Sequence, residues 1–313
     1  MRLYFATDVH GSEKCWRKFL NAGKHYDADV IVLGGDMTGK ALVPVISDGG
    51  GHWHATLLEN RAEMSTEEEV VAFEEAVVRR GYYPFRTDPD ELRELEQDEP
   101  RWHTLFNEKM LETVASWMAI ADERLAGTGM RCFCCPGNDD QFEVDDVIAQ
   151  AKNVELGEGR VVDIDGFQMA STGWTNRTPW DTYREEDEPD LKIRLDKVIA
   201  QVTAPAEKTI FSFHCPPHRS GLDDAPELTA DMMLKDAGRA VKPVGSTAVR
   251  EAIEEHQPAL SVHGHIHEAR GTCRIGRTLC INPGSQYEQG DLLGAVIDLD
   301  GKKKVKKFLL TSG

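Results

Sequence analysis

The sequence predicts an α/β fold whose chemistry is gathered at the ends of strands. Three observations carry that expectation. Short apolar runs such as Leu3-Tyr4-Phe5-Ala6 and Val30-Ile31-Val32-Leu33 have the length and residue types of strands. Amphipathic helical patterns lie between such runs. Five of the runs end in Asp, His or Asn close to a glycine: Asp8-Val9-His10-Gly11, Gly34-Gly35-Asp36, Gly137-Asn138-Asp139-Asp140, His214, and Gly264-His265-Ile266-His267.

Length and composition set the bounds. At 313 residues the chain is long enough to bury a substantial core, and it reads as one domain spanning 1–313 with an insertion. Its 29% charged and 40% hydrophobic residues are those of an ordinary soluble protein. No apolar run approaches the ~20 residues that span a bilayer. Met1-Arg2 leads directly into a strand and leaves no room for a signal peptide, so a cytoplasmic location and no membrane partner are expected. The net charge of −18 repels nucleic acid in general, although a metal-filled cleft can still be locally positive. Cys132, Cys134 and Cys135 lack Cys-x-x-Cys spacing and read as buried thiols on a strand. Cys273 and Cys280 face each other across a Gly276-Arg277 turn, with no disulfide expected.

The elements follow in order. Side chains two apart in a strand share a face, so Asp8 and His10 reach one point as the first strand ends, and Gly11 lets the chain turn away. Glu13 to Ala22 suits a helix, with Trp16, Phe19 and Leu20 at core spacing. Val30 to Leu33 is apolar throughout, as a strand covered on both faces is. The next comparable strand, Met130 to Cys135, comes late. Asp36 and Asn138 stand 102 residues apart, whereas a simple βαβ unit takes ~30.

An insertion at about 40–105 accounts for the excess. Ala41 to Ile46 and His52 to Leu58 flank a glycine-rich turn and read as a hairpin. Ser65 with Glu68 makes a capping-box pattern before a helix bearing Val70, Phe73 and Val77, stopped at Gly81. Asp88-Pro89 opens a short acidic helix. Pro100 to Ala126 carries an apolar stripe through Trp102, Phe106, Met110, Val114, Trp117, Ala121 and Leu125, closed by Gly127.

Beyond Asn138, Val161 to Ile164 and Phe167 to Ser171 form a hairpin about Asp165-Gly166. Trp174 to Pro189 reads as loop, Leu191 to Val202 as helix, and Lys208 to Phe213 as the strand that ends at His214. Leu222 to Lys242 reads as irregular or short helix. Ser246 to Glu255 is helical, and the strand Ala259 to Val262 runs into His263-Gly264-His265-Ile266-His267. Thr278 to Ile281, Leu292 to Asp298 and Lys304 to Leu310 complete the strands, the last two about an Asp300-Gly301 turn. The lysines of 302–307 read as guards on an edge strand.

Asp8, His10, Asp36, Asn138, His214, His265 and His267 all fall at strand ends, where open α/β folds place their ligands. Their nitrogen and oxygen donors suit Mn, Fe, Zn or Ni, and manganese is the expected ion. Seven donors are too many for one tetrahedral ion and suit two ions sharing a carboxylate. Two ions ~3.5–4 Å apart can activate a bridging water and clamp both oxygens of an in-line phosphoryl displacement.

The set Asp8-x-His10, Gly35-Asp36, Gly137-Asn138-x-Asp140, His214 and Gly264-His265-x-His267 resembles the calcineurin-like metallophosphoesterase superfamily, over residues 3 to about 285. The resemblance implies a four-layer αββα sandwich with two divalent metal ions at the strand ends. Asp8, His10, Asp36 and His267 would hold one ion. A bridging Asp36, with Asn138, His214 and His265, would hold the other. The implied activity is hydrolysis of a small phosphodiester, or else a phosphomonoester, by a metal-bridging hydroxide. A protein-docking scaffold on the same fold and a nuclease are the alternatives. One position departs from the family's Gly-Asn-His-Asp/Glu motif: Asp139 stands where the family has the histidine read as its proton donor, as in some bacterial and archaeal phosphodiesterase-like members.

Other polar residues have competing readings. His218, four residues after His214, is a candidate for the cleft and for catalysis, against a plain loop histidine. Arg177 and Arg184 are candidates for substrate phosphate, against solvated loop arginines. His52, His54 and His103 read as surface groups of the insertion. The insertion itself is expected to cap the cleft or to make a homo-oligomer contact.

Overall fold

Two six-stranded mixed sheets organise the protein, seen in a computed structural model that describes residues 1–229, 231–300 and 304–313. The first has the order Lys304–Ser312, Leu293–Asp300, Arg2–Ala6, Val30–Leu33, Arg131–Cys134, Glu155–Leu156. Its last four strands run parallel and its first two are antiparallel additions. The second sheet has the order Gly271–Ile275, Thr278–Asn282, Leu260–Val262, Thr209–Phe213, Phe167–Thr172, Arg160–Ile164, with a parallel centre and antiparallel edges.

Side-chain alternation along the strands sorts the core into layers. In the first strand Leu3 and Phe5 join one cluster and Tyr4 and Ala6 another, as period-two geometry requires. The Leu3/Phe5 cluster continues through Val30, Val32 and Phe133 and meets Met169, Ile210, Leu260, Val262 and Ile281 of the second sheet. The two sheets therefore pack face to face. Tyr4, Ala6, Ile31 and Leu33 turn instead to Trp16, Phe19, Met110, Val114 and Trp117 of the helices Glu13–His25 and Glu99–Leu125. Trp16 and Trp117 stack there with ring centroids 5.1 Å apart. On the far side, Phe211 and Phe213 pack against Leu191, Leu195, Val249 and Ile253 of the helices Glu188–Ile199 and Thr247–His256. Helices thus cover one face of each six-stranded sheet.

Between Asp36 and Asn138 the chain builds a further four-stranded sheet, in the order Asn60–Met64, His52–Leu57, Leu42–Gly49, Tyr83–Thr87. The helix Glu67–Arg79 covers it through Val70 and Val77. The expected hairpin is present, but two of its sheet's strands differ from expectation. Asn60–Met64 is short and charged, and Tyr83–Thr87 contains Pro84, which argues against a strand from sequence. Tyr83–Thr87 lies at the sheet's edge, parallel to Leu42–Ile46. The capping box is one residue later than expected: Thr66 accepts from Glu69 N while Glu69 bonds back to the Thr66 and Ser65 amides.

Other boundaries also moved. The loop read over 174–189 contains the short parallel pair Thr175–Asn176 and Glu185–Glu186, and its last residues already belong to the helix Glu188–Ile199. The strand Lys304–Ser312 is an edge strand, as the lysines suggested, while Gly301 of the expected turn and Lys302 and Lys303 lie outside the described residues. Cys132, Cys134 and Cys135 are buried free thiols, and Cys273 pairs in register with Cys280, both also free thiols.

Candidate metal centre

Parallel strands deliver their carboxyl ends to one end of a sheet, and the donor-bearing residues begin there. Asp8 and His10 follow Arg2–Ala6, Asp36 follows Val30–Leu33, and Asn138 follows Arg131–Cys134. From the facing sheet, His214 follows Thr209–Phe213, and His265 and His267 follow Leu260–Val262. The Asp8–His10 turn is stitched to the Asp36 turn by Asp8 N→Gly35 O (2.9 Å), His10 N→Asp36 O (3.0 Å) and Gly11 N→Met37 O (2.7 Å).

Backbone conformation sets these residues apart. Asp8, His10, Asp36 and His265 have φ of 54°, 39°, 48° and 67°, the left-handed region that side chains other than glycine seldom occupy. Strain of this kind costs of order 1–3 kcal/mol per residue and gathers at functional sites. The turns also approach one another too closely for a side chain at two glycines. A Cβ on Gly137 would lie 2.2 Å from Asp36 Oδ1, and one on Gly35 would lie 2.1 Å from His214 Nδ1.

Three groups of donors meet within this space. Asp8, His10 and His267 bring one atom each within 4.8 Å of one another, as do Asp36, His214 and His265, and also His10, Asp36 and Asp139. His267 Nε2 lies 3.2 Å from Asp8 Oδ1 and 3.0 Å from His10 Nε2. His214 Nε2 lies 3.3 Å from Asp36 Oδ2, and His10 Nε2 lies 3.7 Å from the same oxygen. His214 Nδ1 donates to the Gly34 carbonyl at 2.9 Å, which leaves Nε2 as the nitrogen facing the carboxylates. Asn138 Nδ2 donates to Thr182 Oγ1 at 2.8 Å, so its Oδ1 is the free end.

The donor set fits divalent cations. Asn138 Oδ1 and His214 Nε2 are buried and without a hydrogen-bond partner, which is rare for buried polar atoms. Asp8 and Asp36 are buried carboxylates held low, Asp8 to about 2: burial opposes their ionisation, but the surrounding imidazoles, His214 first among them, together outweigh it. Burial likewise opposes charge on His214, yet Asp36 and Asp8 raise it to about 10. Burial keeps His10 and His265 neutral, lowered to about 3 and 4, as a ligating imidazole must be. The cluster thus calls for positive charge, and His10 and His265 offer it neutral nitrogens.

Several residues with no donor role assigned from sequence support the cluster. Asp140 is fully buried and accepts from Met37 N, Thr38 N, Thr38 Oγ1 and Gly137 N, at 2.7–3.0 Å, which locks the Asp36 turn to the Asn138 turn. Thr7 Oγ1 and His265 N donate to the Asp8 carboxylate. Lys40 Nζ lies 3.1 Å from Asp139 Oδ2. Asp139 in turn places Oδ2 3.7 Å from His10 Nδ1, and burial with the Asp36 charge pushes its carboxyl up to about 6 against the pull of Lys40. Lys40 has no signal in a single sequence beyond its nearness to Asp36.

The other candidates have partners of their own. His218 belongs to none of these donor groups, and its ring nitrogen lies 3.7 Å from Asp223. Arg184 is buried, bonded to Asp145 and to the Asp140 and Gln141 carbonyls, so it is neither a solvated arginine nor free to meet phosphate. Arg177 pairs with Asp181 and Asp187 at the surface. His54 pairs with Asp48, His52 with Ser65, and His103 with Glu99. His263 is taken up by Ser261 and the Phe213 and Cys215 carbonyls.

Two sheets thus carry candidate metal donors at the ends of their central strands. The calcineurin-like phosphoesterase family model matches residues 1–269, and the chain belongs to that family. An uncharacterised protein of Methanocaldococcus jannaschii is 30% identical over 158 residues, which are 49% of this chain and 64% of that protein. The chain therefore spans less than two thirds of that relative. A solved Thermus thermophilus protein aligns over 100% of this chain and 97% of its own at 13% identity and a TM-score of 0.53, a likeness of fold. A solved archaeal phosphodiesterase aligns over 100% of both chains at 11% identity and a TM-score of 0.41.

The lock at Asp140 can be tested directly. In Asp140→Asn the amide must turn its NH₂ toward at least one of the donors it now satisfies. An unsatisfied buried donor costs about 1–3 kcal/mol, partly offset by the lost repulsion from Asp36. A lower urea midpoint at unchanged slope is expected. An unchanged midpoint would show that Asp140 does not hold the two turns together.

Proposed function

We propose that this chain is a dinuclear-metal phosphoesterase acting on a small phosphodiester, with a phosphomonoester as the second choice. The observation that supports it is the convergence of Asp8, His10, Asp36, His214, His265 and His267 from strand ends of both sheets, with the buried free atoms of Asn138 and His214 beside them. Asp8, His10, Asp36 and His267 would hold one ion. Asp36, Asn138, His214 and His265 would hold the other. Manganese is taken as the first choice, and this N/O set also suits Fe, Zn and Ni. Such ions, when bound, supply Lewis acidity toward phosphoryl oxygens and an acidified water.

The chain's own residues do the rest. Gly34 O fixes the His214 tautomer, and Thr7 with His265 N fixes the Asp8 carboxylate. Lys40, at the rim beside Asp139, brings a cation to the place where a phosphate ester would dock in a strongly acidic protein. The segment after Asp36 is read as part of the same single domain and as a wall of the site. Gly81 lies so near the His10 carbonyl that a Cβ there would sit 1.9 Å from it, and Gly39 N donates to Tyr83 OH at 2.6 Å.

Activity on bis(p-nitrophenyl) phosphate tests this reading. Chelation should abolish hydrolysis and added Mn²⁺ should restore it. Undiminished activity in protein verified to be metal-free would overturn it.

Asp139 gives a sharper expectation. Burial and the Asp36 charge raise its carboxyl, but Lys40 and two bound cations would hold it ionised, with no proton for a leaving group. General-acid help is worth roughly 10²–10⁴ in rate and matters most for alkoxide leaving groups. Asp139→His should therefore raise turnover of alkyl phosphates far more than of nitrophenyl esters. Equal effects on both would mean that Asp139 is not the site of a missing acid.

A further inference from the structure

We infer that Thr182 is a positioning residue that fixes which end of the Asn138 amide faces the metal centre. The inference rests on the reading of Asn138 as a ligand given above, and it extends the centre to a loop no ligand comes from.

The placement of hydrogens decides the orientation. Glu185 is a buried carboxylate that accepts from Thr178 N (2.8 Å), Thr178 Oγ1 (2.6 Å), Thr182 N (3.1 Å) and Thr182 Oγ1 (2.6 Å). Burial would raise its pKa, but these donors outweigh burial and lower it. An ionised carboxylate can only accept, so the single hydrogen of the Thr182 hydroxyl is committed to Glu185. Toward its other neighbour Thr182 Oγ1 can then only accept. That neighbour is the Asn138 amide at 2.8 Å, which must present its NH₂. The second amide hydrogen faces Asp139 Oδ1 at 3.2 Å, another acceptor. Both neighbours demand the nitrogen end, so Oδ1 is forced inward, where it is buried and unpartnered.

The loop is held for this purpose from its base. Arg184 is 1% exposed, donates to the Asp140 and Gln141 carbonyls, pairs with Asp145 and sends its own N–H to the Asn138 carbonyl at 3.3 Å. Arg184 thus carries Thr182 to the turn that bears Asn138. A flipped amide would aim NH₂ at a cation and leave two acceptors facing an oxygen.

A double-mutant cycle read by Mn²⁺ titration of the metal-stripped full chain tests this. Thr182→Val removes the acceptor at nearly constant shape and should weaken one of two Mn²⁺ binding steps about 10–100-fold, the usual cost of losing an outer partner of a ligand. Thr182→Ser should restore it. In an Asn138→Asp background either end of the side chain is an oxygen, so adding Thr182→Val should change Mn²⁺ affinity by no more than about twofold. A loss of the same size in both backgrounds would overturn the proposal, because a merely structural loop defect adds to any background. If the Val variant does not fold, Glu185→Gln serves: it frees the Thr182 hydrogen to meet Asn138 Oδ1 and should weaken the same step, and unchanged binding would overturn the proposal. Failure of the underlying reading looks different: two full-strength Mn²⁺ steps in Asn138→Ala, or none in the unmodified chain, would remove the ligand itself and this proposal with it.

Discussion

Asp8 and Asp36 bury two carboxylates side by side at the strand ends, and much of the surrounding structure answers that constraint. They are 1% and 3% exposed. Burying an ion costs several kcal/mol unless charge and hydrogen bonds compensate it. Within the protein the compensation comes from Thr7, the His265 and Asp139 amides and the raised imidazoles of His214 and His267. Two divalent cations would compensate it far more fully, and the neutral nitrogens of His10 and His265 already face that position.

Holding like charges together requires a rigid frame. The frame is the set of turns at the strand ends, strained into left-handed conformations and interlocked through Asp140 and through glycines that admit no side chain. A third layer of support comes from the 177–185 loop, where Glu185 and Thr182 dictate the Asn138 amide and Arg184 ties the loop down. Each layer lies further from the donors and carries a weaker signal in its own sequence pattern. The division of labour between donors and their supports is that of many metal sites.

The donors were legible because each sits at the end of an apolar run, and strand ends of an α/β fold point one way. Asp8, His10 and Gly137-Asn138 carry that pattern in a few consecutive residues. Lys40 and Thr182 do not, because what places them is contact between turns some 40 or 100 residues apart in sequence. Arg184 was misread for the same reason: a loop arginine reads as solvated until its carbonyl and Asp145 partners are seen. In the segment after Asp36, the hairpin and helices followed periodicity, while Tyr83–Thr87 was hidden by Pro84, tolerable only because the strand is an edge. The capping box slipped one residue because Ser65-Thr66-Glu67-Glu68-Glu69 offers two overlapping solutions, and packing of Val70 and Val77 selects the later one.

The central claim is that one carboxylate, Asp36, serves two ions. Elemental analysis of Mn²⁺-loaded variants tests it most directly. An aspartate shared by both ions should matter to both, whereas His267 touches one. Asp36→Asn should therefore retain well under one ion per chain and His267→Ala about one, against about two for the unmodified protein. About two ions in Asp36→Asn would contradict the account.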